Sequence, residues 1–492
     1  MRLRSLENWY NLNKRVFSTN MKIFLVNPPL TRQEAAGKMK GIVNLLPPLG
    51  IGYIASVLEQ EGFQVKITDC PSLNLNHADL RKIFEAEKPD IIGFTITTIS
   101  VSSAIIASQN AKAVSPHSLI VIGGPHPTSL PEETMHNGPF DVVVLGEGEY
   151  SFLEIAQRVR SASKDFSGIS GLMYRKNGEL ISTGSRAYID NLDSLPFPAF
   201  HLFSPLSMYH PMPGNVRGIP YVQMMTSRGC PYQCTFCDRK VFGQLFRARS
   251  PKNVVDEIEM LMKRFGIKEV KFNDDTFNVD PKRVIDICEE ILKRNMKILW
   301  TCRVHVKNLS SDFLKIMKRA GCWQIGFGIE NADTAILERI KKYITPEECK
   351  DAVLRAKACG MNVKVSFMFG LPGETGKTIQ KTIDFAKTLP ADIVNFHIFI
   401  PFPGTELFNK INSEGLLLHK NYQHYCQLNL PKYMHLPFVS KGLEENQIRR
   451  FSSQAHRSFY LRPSYILSQL RQIRNFSDAY RYWQGFLAIV SL

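Results

Sequence analysis

The chain has 492 residues, 44% of them hydrophobic and 22% charged, which is enough to bury more than one core. Lys and Arg number 61 against 45 Asp and Glu, a formal charge of +16, and no run of 18 uncharged apolar residues occurs, so a membrane-spanning helix is not expected. The first 20 residues lack the apolar core of a secretory signal, and the ten cysteines follow no regular pairing pattern; a reducing cytoplasm is the expected setting.

Residues 1–20 form a basic extension, and the fold pattern starts at Met21. Strand-like runs follow at 22–26, 65–68, 91–95, 119–122 and 141–145, with helical patterns at 49–61, 78–87 and 103–113 between them. This alternation predicts an α/β domain over 21–160, a Rossmann-like doubly wound parallel sheet of five strands. Ligands of such sheets bind outside the carboxyl ends of the strands. The chain puts Thr97, Thr98 and Ser100 after the third strand, Gly123, Gly124 and His126 (GGPH) after the fourth, and Gly146, Glu147 and Gly148 (GEGE) after the fifth. Glycine there lets the backbone approach a bulky planar ligand.

Residues 161–215 read as a hairpin over Asn177-Gly178 and an extended linker in which Pro196 and Pro198 block helix. A second unit is expected over 216–415. Its first strand, 221–226, runs into CPYQCTFC, where Cys230, Cys234 and Cys237 have the spacing C-x3-C-x2-C. One short loop can wrap three thiolates around a metal centre and leave a position for a substrate or cofactor. A structural zinc knuckle needs a fourth Cys or His close by, and none follows at that spacing, so an iron–sulfur cluster is the favoured reading.

Strand patterns then recur at 269–272, 297–302, 324–329, 362–369 and 393–400, with helices such as 254–264 and 283–293 between them. Six such units predict a partial (β/α)6 barrel of the TIM type, whose chemistry collects at the carboxyl ends of the strands. Asn273, Asp274 and Asp275 end the second strand, Arg303 the third and Glu330 the fourth. FGLPGET, with Gly370 and Gly373, follows the fifth strand, and PFPGT at 401–405 closes the sixth.

The remaining region, 416–492, is basic and rich in aromatics; from residue 446 it carries seven arginines against the single acid Asp478. The spacing of Ile466, Leu467, Leu470 and Ile473 predicts a helical cap packed on the barrel. A peripheral membrane contact is the next reading, and nucleic acid the least favoured.

The cysteine motif, with Phe236 in its aromatic slot, resembles that of the radical S-adenosylmethionine (SAM) superfamily. The resemblance implies that Cys230, Cys234 and Cys237 hold a 4Fe-4S cluster whose fourth iron is chelated by SAM. It also implies that Asn273-Asp274-Asp275 accepts from the SAM amino group, that Arg303 and Glu330 meet its carboxylate and ribose, and that Gly370 and Gly373 lie on the adenine side. The segments NPP (27–29), LPPLGIGYIA (46–55), GGPHPT and LGEGE resemble the cobalamin-binding domain of cobalamin-dependent members. One departure matters: the loop after the first strand, NPPLTRQEAAG, lacks the histidine that ligates cobalt in classical cobalamin domains. Cobalamin is therefore expected base-off with no histidine below cobalt, and His126 is expected to line its nucleotide tail.

The function so implied is reductive cleavage of SAM to a 5'-deoxyadenosyl radical, with methyl transfer to an unactivated carbon as the leading outcome. The alternative is radical cyclisation or rearrangement without methyl transfer, as in the anaerobic magnesium-protoporphyrin ester cyclase. A tRNA methylthiotransferase would need three more cysteines in a first domain whose residues 1–229 hold only Cys70, and a cobalamin sensor would not need the cysteine triad. Expected partners are a small-molecule or lipid-like substrate and an electron donor such as flavodoxin or ferredoxin.

Overall fold

The computed structural model describes residues 21–30, 45–209, 216–425 and 435–470. Strands β1 (Lys22–Asn27), β2 (Gln64–Asp69), β3 (Ile91–Thr95), β4 (Leu119–Gly123) and β5 (Val142–Val144) run parallel in the order β2-β1-β3-β4-β5. Ile23, Phe24, Leu25 and Val26 are all buried, as a parallel strand covered by helices on both faces requires. The expected five strands are present, but the sheet has seven. The hairpin β6 (Leu172–Lys176) and β7 (Glu179–Ser182), assigned above to the connecting region, pairs antiparallel with β5 and joins the sheet. It covers the edge that β5 would otherwise expose, and Asn177 and Gly178, both at positive φ, make its turn.

The second sheet is the expected six-stranded partial barrel. Strand β8 (Tyr221–Met224) leads to a short antiparallel pair, β9 (Ser227–Arg228) and β10 (Arg247–Ala248), which closes the base of the cysteine loop. Next come β11 (Glu269–Phe272), β12 (Leu299–Arg303), β13 (Cys322–Glu330), β14 (Asn362–Phe369) and β15 (Ile393–Ile398), parallel and in sequential order beside β8. Side chains alternate along each strand. Val270 and Phe272, Ile325, Phe327 and Ile329, Val363, Val365 and Phe367, and Val394 and Phe396 are buried in the apolar core. The intervening residues face the barrel lumen.

Helix starts at 251 and 281 lie upstream of the predicted 254 and 283, because the first-turn residues carry no apolar periodicity. The helix Pro251–Phe265 starts at Ser250, whose side chain accepts from the Asn253 amide, and ends on Gly266 at φ 65°.

The C-terminal cap is present as the helix Glu445–Tyr460. Ile448, Ala455 and Phe459 are fully buried, and the Tyr460 hydroxyl donates to the Val394 carbonyl (2.8 Å) and accepts from its amide (3.0 Å) on the edge strand β15. The predicted stripe beyond it is not buried: Ile466 and Leu467 are 39% and 52% exposed. In the helix Pro463–Leu470 it is Tyr465 that meets the barrel, donating to the Asp392 carbonyl, and this turns Ile466 and Leu467 outward. The Leu470 side chain, Ile473 and the arginines 471, 474 and 481 lie outside the described residues. No described helix is long and apolar enough to cross a membrane.

Candidate active site

The cysteine loop leaves the carboxyl end of β8 and is braced from below. Asp274, buried at the end of β11, accepts from the Thr226 amide (2.7 Å), the Thr226 hydroxyl (2.5 Å) and the Ser227 hydroxyl (2.7 Å). This corrects the expectation for Asp274: its oxygens are engaged under the loop and do not offer an acceptor in the barrel mouth. Asn273 stays at the strand end, its amide donating to the Met224 carbonyl, and Asp275 is exposed beside it. Gly229 precedes the first cysteine at φ 82°, where a side chain would overlap the Leu245 carbonyl, so only glycine fits. The Thr235 amide donates to the Ile340 carbonyl, the Thr235 carbonyl accepts from the Leu407 amide, and the Tyr232 ring stacks on His305 at 4.2 Å.

Cys230 is half-buried, Cys234 buried and Cys237 exposed, all three free of disulfides. Among the described residues no group of three or more His, Cys, Asp or Glu is arranged to hold a single metal ion, as a zinc knuckle would require. On a polynuclear cluster each thiolate binds a different iron, so wider spacing suits it. A cation supports the thiolates: burial raises the Cys234 thiol pKa, and Lys342 opposes that rise. The Lys342 ammonium lies 3.9 Å from a Glu330 oxygen, and the donor set fits a cluster.

Arg303 and Glu330 reach the barrel mouth as expected. Glu330 is buried at φ 70°; burial raises its carboxyl pKa, against the pull of Lys342 and Arg303. The turn after β14 is organised by Glu374, which accepts from the Gly370 amide (2.6 Å), the Leu371 amide (2.9 Å) and the Asn331 side chain (2.6 Å). Gly370 and Gly373 both have positive φ, and a side chain at Gly373 would strike the Arg339 guanidinium. These glycines are demanded by the turn itself.

At the first sheet, Thr97 and Ser100 form a reciprocal cap on the turn Thr98–Ser100, their hydroxyls 3.1 Å apart; Thr97 is exposed and Thr98 buried. Gly123 ends β4, and Gly124 takes φ 109° with its α-carbon against the protein's own Ile96 carbonyl. The close approach that glycine permits here is to backbone. His126 is buried with neither ring nitrogen bonded to a described residue, and burial drives its pKa down to about 4. Tyr422 meets it edge-on at 4.8 Å and donates to Glu133 (2.5 Å). This orphaned polar ring in the crevice fits the lining role expected of it. The loop after β1 is described only through Leu30.

Gly146, at φ 73°, donates its amide to the Thr128 hydroxyl, and Gly148 packs near Ile54. Between them, Glu147 departs from its expected role. Its carboxylate accepts from Arg228 (2.8 Å), from Arg247 (3.0 Å) and from the Ile189 amide (2.7 Å), and Glu149 takes the second arm of Arg228 (2.6 Å). All four charged side chains are almost wholly buried.

A second clasp lies at the other end of the cysteine loop: Ser129 donates to Asp238 (2.9 Å), and Lys240 donates to the Ser129 carbonyl (3.3 Å). Gln223 in β8 donates to the Pro47 carbonyl (2.7 Å). The cysteine loop is thus held at both ends by loops from the carboxyl end of the first sheet. Sequence reasoning missed Arg228, Arg247, Glu149, Lys342 and Tyr422. A signal existed only for the first three, as paired opposite charges beside the two motifs.

The profile of the B12 binding domain matches residues 40–156, and that of the Radical SAM superfamily matches residues 224–386. An uncharacterized methyltransferase of Pyrococcus horikoshii is 38% identical over 93% of this chain and 96% of its own length. The anaerobic magnesium-protoporphyrin IX monomethyl ester cyclase of Rubrivivax gelatinosus is 30% identical over 75% of this chain and 67% of its own. In fold, the chain is similar to the radical SAM methyltransferase TsrM from Kitasatospora setae, solved with cobalamin and a [4Fe-4S] cluster bound. The TM-score is 0.70 at 19% identity, covering 89% of this chain and 91% of that one.

Proposed function

This chain belongs to the cobalamin-binding radical SAM family, and on that premise we propose that it is a methyltransferase acting at an unactivated carbon of a small-molecule substrate. The observation that carries the reading is the double clasp, Arg228 to Glu147 and Glu149 on one side and Asp238 to Ser129 on the other, which sets the carboxyl ends of the two sheets against one cysteine loop. When bound, the cluster and SAM supply a radical that removes hydrogen from carbon, and cobalamin supplies a methyl group.

The protein's part is to hold and enclose. Cys230, Cys234 and Cys237 hold the cluster, with Lys342 stabilising their negative charge. Asn273, Asp275, Arg303 and Glu330 orient SAM, and the turn Gly370 to Gly373 lies along its adenine. Thr97, Thr98, Gly123, His126, Gly146 and Gly148 line the cobalamin crevice, and the clasped seam excludes water between the two groups. An electron donor of the flavodoxin or ferredoxin kind serves the exposed Cys237 side.

The likeness to the cyclase supports a second reading, in which the same radical closes a ring and no methyl moves. Anaerobic loading with iron, sulfide and cobalamin tests the common premise: one 4Fe-4S cluster and one cobalamin per chain are expected, and binding of neither would refute both readings.

A further inference from the structure

The segment that follows the barrel returns to the first domain. Its two ends are anchored on the barrel side. The Leu418 amide donates to the Pro437 carbonyl (2.9 Å), and Tyr425, fully buried, meets Phe402 of the loop after β15 edge-on and donates its hydroxyl to the His419 carbonyl (3.2 Å). Between these anchors the turn Tyr422–His424 packs on the turn Thr98–Ser100 and on the helix Val101–Val114. Tyr422 donates to Glu133 (2.5 Å) in the helix Pro131–Asn137, and Lys420 pairs with the other oxygen of that carboxylate (3.6 Å).

The loops so covered follow β3 and β4, and they move as one. The Ile96 amide donates to the Gly123 carbonyl (2.8 Å), and the Ile96 carbonyl accepts from the His126 amide (3.4 Å). The cysteine loop grips the same turn elsewhere, through Ser129 and Asp238 (2.9 Å). Tyr422 meets the His126 ring edge-on at 4.8 Å, yet neither ring nitrogen of His126 has a hydrogen-bond partner among the described residues. A neutral imidazole carries one N–H donor and one bare acceptor nitrogen. Leaving both buried and unanswered is a cost that native folds carry chiefly where a ligand or a function calls for it. His126 is 1% exposed and Tyr422 8%, so only a slender part of a ligand reaches them, and a broad corrin ring does not.

We infer that Tyr422 is a residue of the cobalamin site: with His126 it walls the end of the crevice that takes the nucleotide tail, so the C-terminal region sets how firmly that tail is held. This rests on the reading of the chain as a cobalamin-binding enzyme and deepens it, because Tyr422 lies outside both matched profiles, 40–156 and 224–386. The division of labour follows from the bonds. The Tyr422 hydroxyl is committed to Glu133, which fixes the ring as an aromatic wall, and the unbonded His126 nitrogens supply the hydrogen bond. The displaced base of a base-off cobalamin is planar and aromatic and carries an unligated ring nitrogen, which suits an aromatic edge beside an imidazole.

The test compares hydroxocobalamin with cobinamide, which keeps the corrin but lacks the nucleotide tail, in anaerobic titrations of the whole, cluster-loaded chain. The wild type should bind hydroxocobalamin roughly tenfold or more tightly than cobinamide. Tyr422→Ala should lose roughly tenfold in affinity for hydroxocobalamin while cobinamide changes by less than about threefold. Tyr422→Phe, which keeps the ring but frees it from Glu133, should show the same selective loss to a smaller degree. A wild type that does not distinguish the two probes overturns the inference, as does unchanged hydroxocobalamin affinity in Tyr422→Ala. An equal loss for both probes marks a merely structural role and overturns it too. If Tyr422→Ala does not fold, the same comparison in Tyr422→Phe decides, and an unchanged or equal effect on the two probes there is contrary. Failure is separable from the enzymatic reading: tight hydroxocobalamin binding indifferent to Tyr422 sinks only this inference, whereas a wild type that binds neither probe sinks the cobalamin reading with it.

Discussion

Glu147 and Arg228 lie 2.8 Å apart at the seam of the two sheets, one in the last ligand-side loop of the first sheet and the other two residues before the first cluster cysteine. Both are almost fully buried, so each depends on the other and on Arg247 and Glu149 to offset the loss of water. The pair makes the position of the cysteine loop a function of the first domain's fold.

Replacing Arg228 by Met would leave Glu149 without this arginine and Glu147 with Arg247 and the Ile189 amide. A loss of about 3 to 5 kcal/mol is expected, as for other buried pairs broken on one side. Denaturant unfolding measures it, and adding Glu149→Gln to Arg228→Met should restore part of the loss. If the single variant is as stable as the wild type, the seam does not depend on this network.

For the cluster, Cys230→Ala/Cys234→Ala/Cys237→Ala should fold, since the loop is held by Asp274, Thr235 and the Tyr232–His305 stack rather than by its sulfurs. It should lose the visible iron–sulfur absorption after anaerobic reconstitution. A full complement of four irons in this variant would place the cluster elsewhere.

Bound cob(II)alamin should show a base-off electron paramagnetic resonance spectrum with no coupling from a protein imidazole, because the loop after β1 has no histidine. His126→Phe should leave that spectrum unchanged. Imidazole coupling that His126→Phe abolishes would make His126 a cobalt ligand. Gly124 is a poor probe of cobalamin, since any side chain there meets the Ile96 carbonyl and would disturb the fold first.

The parallel strands and the cysteine loop were legible because period-two runs and C-x3-C-x2-C are local patterns. The hairpin's place in the sheet was not, because it depends on β5 needing an edge partner. Asp274 and Glu147 were misassigned for one reason: a carboxylate in a motif has the same letter whether it faces a ligand or an arginine. Asp274 turns under the strand, and Glu147 finds partners 81 and 100 residues away.

The central claim is best tested by the fate of SAM. The anaerobically loaded enzyme, supplied with reductant and methyl-labelled SAM, should yield both 5'-deoxyadenosine and labelled-methyl-depleted S-adenosylhomocysteine, the latter only when cobalamin is present. Formation of 5'-deoxyadenosine alone, with no cobalamin-dependent S-adenosylhomocysteine, would contradict methyl transfer and favour the cyclising reading.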